Sequence, residues 1–252
     1  MTQQHPLLDA ILAHGRRRGP LIGAHRGASA RAPENTLAAF RAALEDGAEL
    51  IELDVHLTRD HQLAVIHDET THRTTGVPGA VAALTMQELR RLDAGRSKGV
   101  QWAGETVPEL GDVFALARGR LLVNVEVKCA VAGLPVLAER IAEHDMSKSA
   151  IVSSFDPAIV RAVSTVGPSL LTGLLLDRRI RDPIATAGEV GASLLHVKHT
   201  QISAALVEAA HRIELGVLAW TVNGPVAMRR LQGFGVDAIL SDDPRLLRAT
   251  MS

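Results

Sequence analysis

The stretch that decides the fold is Leu50-Ile51-Glu52-Leu53-Asp54-Val55-His56-Leu57, followed by the turn Thr58–Gln62 and a second apolar run, Leu63–His67. Apolar and polar residues alternate with a period of two, so the first run reads as a β-strand with two chemically different faces. Ile51, Leu53 and Val55 suit packing against helices, whereas Glu52, Asp54 and His56 point to the other side. The turn is too short for a parallel crossover, which needs about a dozen residues. The two runs therefore form an antiparallel hairpin.

Working outward, strand-like runs recur at Leu21–Arg26, Leu121–Lys128, Ala150–Phe155, Leu171–Leu176, Leu194–Lys198, Val217–Val222 and Ala238–Ser241. Helix-length segments separate most of them. Setting the hairpin's return strand aside leaves eight β/α units, the arithmetic of an α/β fold of the (β/α)8 TIM-barrel type at roughly 250 residues. A doubly wound open sheet is the rival, but no Gly-x-Gly-x-x-Gly follows the first strand and no P-loop occurs. No linker or low-complexity segment divides residues 1–252, so one domain is expected. Leu7–Arg18 reads as a helix covering the barrel floor. Asn35 is placed to cap a helix over Thr36–Asp46 that stops at Gly47. Residues of about 69–106 form a short insertion after the hairpin, with Thr70–Gly79 as a loop and Thr85–Leu92 as a helix, on the side where barrel active sites sit.

Composition narrows the function. The chain has 252 residues, a net charge of −1, one cysteine and 2% aromatic residues, with no tyrosine. A nucleic-acid binder needs a basic footprint and stacking platforms, and neither is present. One cysteine excludes a disulfide framework and a Cys-based zinc site; Cys129 reads as a small buried filler. No apolar run reaches the length of a membrane span, and the N-terminal stretch lacks a signal-peptide pattern, so a soluble cytoplasmic protein is expected.

In the fourth strand run the alternation returns, with Val123, Val125 and Val127 outward and Asn124, Glu126 and Lys128 inward. Glu52, Asp54 and Glu126 would then converge inside a barrel normally filled by branched apolar residues. Desolvating like charges costs several kcal/mol each after relaxation. A divalent cation with oxygen ligands resolves this, and Ca2+ or Mg2+ suits carboxylates better than zinc. The alternative is a structural network in which Glu52 and Asp54 pair with Arg26 or Lys128. His25 and His67 end their strands beside charged neighbours and can flank the acids as a general acid–base pair. Arg26 and Lys128 add positive charge at the same rim, suiting an anionic substrate such as a phosphodiester. A Schiff-base aldolase using Lys128 is a second reading, but it leaves three acids and two histidines without a task.

Trp220 and Phe155 end strands on this rim and Trp102 lies in the insertion, so all three can line the site; Trp220 reads either as core or as an apolar wall for a substrate. Phe40, Phe114 and Phe234 fall in helical segments and read as core. Among His196, Lys198 and His199, one residue can face the cavity. His5, His14, His61, His72, His144 and His211 show no partner pattern and read as solvent-facing.

Taken in order, His25-Arg26-Gly27, Pro33-Glu34-Asn35-Thr36 with Ala39-Phe40, Glu52-Leu53-Asp54-Val55, His67-Asp68, Leu92-Asp93-Ala94-Gly95 and Val125-Glu126-Val127-Lys128 resemble the successive motifs of the glycerophosphodiester phosphodiesterase family. Trp220-Thr221-Val222-Asn223, Gly235-Val236-Asp237 and Ser241-Asp242-Asp243-Pro244 continue the match, which spans about residues 20–247. The resemblance implies a TIM barrel with a small inserted cap and one divalent cation, Ca2+ or Mg2+, held by Glu52, Asp54 and Glu126. It implies His25 and His67 as the acid–base pair, with Arg26 and Lys128 holding the phosphate.

The implied reaction cleaves a small-molecule glycerophosphodiester, such as glycerophosphocholine or glycerophosphoethanolamine, to sn-glycerol 3-phosphate and an alcohol. His25 would act as base and His67 as acid, or the reverse, with water or the glycerol 2-hydroxyl as first nucleophile. Relatives include lysophospholipase D-type enzymes, but the short cap favours a deacylated substrate. A catalytically silent binding barrel is the non-enzymatic alternative. The chain departs from the family pattern in having Val107-Pro108-Glu109-Leu110 for the common Ile-Pro-Thr-Leu, and Ser241 for the usual threonine.

Overall fold

A computed structural model describes residues 6–167 and 169–252; His5, expected to face solvent, lies outside them. The strands are β1 (Leu21–His25), β2 (Leu50–Leu57), β3 (Leu63–Val65), β4 (Leu122–Val127), β5 (Ala150–Ser154), β6 (Leu171–Leu176), β7 (Leu194–Lys198), β8 (Gly216–Trp220) and β9 (Ala238–Ser241). The helices are α1 (Pro6–Arg18), α2 (Leu37–Glu45), α3 (His72–Thr75), α4 (Met86–Leu89), α5 (Leu110–Ala117), α6 (Leu134–Glu143), α7 (Pro157–Val166), α8 (Pro183–Val190), α9 (Ala204–His211), α10 (Pro225–Phe234) and α11 (Pro244–Met251).

All strands except β3 are parallel, in the order β1-β9-β8-β7-β6-β5-β4-β2, and pairing of β1 with β2 closes the barrel. Each βα crossover lays a helix on the outside, as the alternating pattern requires. The hairpin is present: β3 runs antiparallel to β2, with Val55 opposite Val65. β1 pairs with β2 only over Leu50–Glu52. β3 thus takes over the same edge where β1 turns away, and this places its end beside that of β1.

The outward faces of the strands and the inner faces of the helices form two apolar layers. One contains Ile51, Leu53, Val55, Val123, Val125, Phe40 and Phe114; the other contains Val197, Val217, Ile239, Met228 and Leu231, with Phe234 packed against it. A third cluster fills the lower barrel, where Leu7 and Ile11 of α1 meet Leu21, Leu50, Leu171, Leu194 and Leu218. Helix α1 therefore plugs the floor, as its position before the first strand suggests. The insertion has its own small core of Ile66, Val81, Met86, Leu89 and Val107. Its first loop contains the single turn α3, and its predicted helix over Thr85–Leu92 shortens to α4, started by a capping box between Thr85 and Glu88.

Several local expectations change. Thr36, not Asn35, caps α2, accepting from Ala39 N, and Asn35 takes a left-handed φ of 55°. Trp102 packs against the outer core rather than lining the site. Three histidines expected in solvent have partners: His211 Nε2 donates to buried Asp237 at 2.8 Å, His144 packs on Phe114 and His14 lies 3.7 Å from Glu49. The unusual Glu109 caps α5 through Gly111 N and pairs with Arg140 at 3.3 Å.

Candidate active site

Strand register builds the centre of the site. Asp54 sits beside Glu126, Glu52 beside Asn124 and His25 beside Glu52, so period-two side chains from three adjacent strands enter the barrel together. Glu52, Asp54 and Glu126 are buried, and one oxygen from each lies within 4.8 Å of the others.

The β1–α2 loop supports them from the side. Arg26 N donates to Glu52 at 2.9 Å, and Asn35 Nδ2 donates to Asp54 at 2.8 Å. Arg26 and Asn35 both hold left-handed conformations, φ 57° and 55°, which non-glycine residues adopt uncommonly. The Arg26 side chain bonds Glu34 at 2.9 Å and lies 3.4 Å from Asp54. Lys128 Nζ is 3.2 Å from Asp54 and contacts Glu126.

Charge and burial pull the three acids apart. Burial, then the neighbouring Asp54 and Glu126 charges, push Glu52 well above the usual carboxylate range. Burial and Asp54 push Glu126 up to about 7. Burial also acts to raise Asp54, but Lys128, Arg26 and His67 outweigh it and hold it below its ordinary value. Lys128 is raised, because its two carboxylate neighbours more than offset its desolvation.

The two histidines are oriented by carboxylates. His25 Nδ1 donates to Asp242 at 2.7 Å, and Asp242 is held in turn by Asn223 Nδ2 at 2.6 Å and Ser29 Oγ at 3.1 Å. His67 Nδ1 donates to Asp68 at 2.7 Å. Committing Nδ1 in each ring to a carboxylate fixes the tautomer and leaves Nε2 as the other ring nitrogen. His56, expected inside the barrel, sits half-buried at the hairpin and donates to the His67 carbonyl at 3.0 Å. Arg73 of α3 clasps Asp68 at 2.6 Å and Glu34 at 2.7 Å. One guanidinium from the insertion thereby braces the carboxylates that orient both His67 and Arg26. Burial lowers the His67 pKa, opposed only in part by Asp54 and Asp68.

Phe155 and Trp220 meet edge to face at 5.6 Å, with Lys128 Nζ 5.7 Å from the Phe155 ring centre. A chamber of about 120 Å³ lies between this pair, both histidines, Glu52, Glu126 and Lys128. A second cavity of about 470 Å³ adjoins it at His25 and Arg26. Of the three β7-region residues left open by the sequence, His196 is the one inside the barrel, fully buried; Lys198 is exposed.

Eight of the nine predicted site residues line the chamber; the ninth, Asp54, does not, but its carboxylate lies within 4.8 Å of those of Glu52 and Glu126. Sequence reasoning missed the tasks of Asn35, Asp68, Arg73 and Asp242. The motifs containing Asn35, Asp68 and Asp242 were visible, but motif order alone does not reveal which atoms they hold.

The model of the glycerophosphoryl diester phosphodiesterase family matches residues 25–246. A glycerophosphodiester phosphodiesterase of Caldanaerobacter subterraneus subsp. tengcongensis is 40% identical over 232 residues, covering 90% of this chain and 96% of that protein. A glycerophosphodiester phosphodiesterase of Bacillus altitudinis is 33% identical over 231 residues, covering 88% and 94%. Among solved structures, a glycerophosphodiester phosphodiesterase of Agrobacterium tumefaciens superposes with a TM-score of 0.83 at 30% identity, covering 91% and 99%. An Oleispira antarctica phosphodiesterase, solved in complex with the product sn-glycerol-3-phosphate, superposes at 0.84 and 26% identity, covering 92% and 96%. With its barrel, its three convergent acids and its motifs in the family's order, this chain belongs to the glycerophosphoryl diester phosphodiesterase family.

Proposed function

We propose that the protein hydrolyses glycerophosphodiesters to sn-glycerol 3-phosphate and a free alcohol, with a divalent cation at Glu52, Asp54 and Glu126 and with His25 and His67 as the acid–base pair. The observation that carries this reading is the convergence of the three buried acids beside two carboxylate-oriented imidazoles in one chamber.

The residues fit a hard cation. All three donors are carboxylates, the choice of Ca2+ or Mg2+ rather than a soft metal. Two of them are displaced upward in pKa by burial and mutual repulsion, a cost that a positive ion relieves. Asp54 Oδ1 and Glu126 Oε1 meet Lys128 at ion-pair distance but without hydrogen-bond alignment. When bound, such an ion supplies positive charge that polarises a phosphoryl oxygen.

The protein's own groups account for the remaining chemistry. Arg26 and Lys128 hold the phosphate in the chamber, and the Phe155–Trp220 wall covers it. One histidine Nε2 takes the proton of the attacking water or glycerol 2-hydroxyl, and the other delivers a proton to the departing alcohol oxygen. The walls of the adjoining cavity are largely polar or charged, which favours a deacylated diester over a lysolipid. Lys128, kept protonated by Asp54 and Glu126, is poorly suited to a Schiff-base aldolase. The chain is read as one catalytic domain working in the cytoplasm; no described helix is long and apolar enough to cross a membrane.

The test is release of glycerol 3-phosphate from glycerophosphocholine and glycerophosphoethanolamine. Turnover should require Ca2+ or Mg2+ and stop with EDTA. His25→Ala and His67→Ala should each lower kcat by about 10²–10⁴-fold while retaining cation binding by calorimetry. Full activity in either variant, or in the chelated wild type, would exclude this assignment.

A further inference from the structure

The cavity of about 470 Å³ shares two wall residues with the catalytic chamber, His25 and Arg26. Its walls come from the β1–α2 loop, the segments that follow β8 and β9, and Lys98 of the insertion. Its carboxylates are already engaged. Glu34 is paired with Arg26 and Arg73, Asp242 with His25, Ser29 and Asn223, and Asp243 caps α11 through Leu246 N. Lys98 is different. Its ammonium donates to the Ser29 carbonyl at 2.6 Å, and among the described residues no carboxylate lies within ion-pair distance of it. This bond keeps a charged donor on the cavity wall, with two of its three protons uncommitted.

We propose that this cavity receives the alcohol part of the substrate, and that Lys98 selects oxygen-rich polyol head groups over a quaternary ammonium. The inference rests on the phosphodiesterase reading and adds the class of leaving alcohol. A quaternary ammonium, which has no hydrogen-bond donor, is recognised by aromatic faces or by the charge of carboxylates not already neutralised. No phenylalanine, tyrosine or tryptophan lines this cavity; Glu34 and Asp242 are held by cationic or polar side chains, and Asp243 is committed to the N-terminus of α11, whose positive end offsets its charge. A trimethylammonium would meet the Lys98 charge and offer it no acceptor. A polyol gives the ammonium the acceptors it lacks, and a charge-assisted contact of this kind is among the stronger hydrogen bonds. Lys98 also stands on the insertion, so head-group choice is placed on a segment separate from the strands that hold the acids and histidines.

The experiment compares kcat/KM for sn-glycero-3-phosphoglycerol and sn-glycero-3-phosphoinositol with that for glycerophosphocholine, using the cation-loaded full chain and a glycerol 3-phosphate readout. The wild type should favour the polyol esters by about tenfold or more, the range expected for one hydrogen bond to a charged group. Lys98→Ala should lower that ratio about tenfold, Lys98→Glu should lower it further, and Lys98→Arg should largely preserve it. Expressing the result as a ratio removes any general effect of loosening the Ser29 loop. Preference for glycerophosphocholine, or a ratio that does not respond to Lys98, would overturn the inference and leave the phosphodiesterase reading standing. Failure to cleave all three esters with either cation would overturn both.

Discussion

Glu52 illustrates what the site demands of single residues. It is 3% exposed and shares the barrel interior with Asp54 and Glu126, so its ionised form is opposed by burial and by like charge. Its one hydrogen bond to protein, from Arg26 N, is a bond that a glutamine oxygen can also accept. Glu52→Gln should therefore leave the cation-free protein within about 1 kcal/mol of wild-type stability, whereas breaking an ordinary buried ion pair costs several times that. Added Ca2+ should raise the wild-type Tm, because an ion bound only by the folded state stabilises it by mass action. The variant should show little or no rise. A Ca2+-dependent shift equal to wild type would remove Glu52 from the ligand set. The chemical identity of these residues is plain in the sequence, because strand alternation puts acids where apolar side chains belong. Asn35 was less legible: an asparagine before a helix reads as a cap, and only the fold brings it to Asp54, 19 positions away.

At the scale of elements, the turn from β1 into α2 is the most constrained part of the site. Arg26, Gly27 and Asn35 all have positive φ, and the loop is drawn closed by a bond from Asn35 N to the Arg26 carbonyl at 3.0 Å. A Cβ on Gly27, at φ 79°, would lie 2.7 Å from the Ala39 carbonyl carbon. Gly76 has a similar φ of 73° but nothing within 4 Å of the same position. Gly76→Ala should cost only the left-handed penalty, about 1 kcal/mol. Gly27→Ala adds a backbone clash and should cost about 3 kcal/mol or more. It should also weaken cation binding, since the loop carries both bonds to the acids. Urea unfolding of the two variants, followed by Ca2+ titration, checks the contrast, and equal destabilisation would show that the close approach to α2 is unimportant. The hairpin was legible because its turn is too short to allow anything else. The exact extent of α4 was not, since a short segment over a small satellite core is fixed by its capping box and packing more than by periodicity.

Across the whole molecule, the barrel interior changes from apolar at the floor to charged at the rim, and His196 lies at the transition. It is fully buried and its pKa falls to about 3 through burial alone. Neither ring nitrogen has a hydrogen-bond partner among the described residues, and the ring lies where a side chain on Gly173 would be. Its effect on stability has a definite sign. Above about pH 6.5 the residue is neutral in both folded and unfolded chains and contributes no pH dependence. Below that, the unfolded chain binds a proton that the folded chain does not, so stability falls by about 1.4 kcal/mol per pH unit from this residue until about pH 3. Between pH 7 and pH 5, His196→Leu should lose about 2 kcal/mol less than wild type in urea titrations. Equal losses would mean that His196 does not titrate differently in the two states. The same layering shows which level of description determined what. The sequence alone determined the barrel, the hairpin and the set of acids and histidines, because period-two alternation, turn length and the count of β/α units are local properties of the chain. Tertiary structure decided that Asp242 orients His25 from 217 positions away, that Arg73 braces both sides of the site, and that His196 rather than His199 is interior. Those outcomes depend on how a closed sheet sets distant strands in register, and no local period encodes that register.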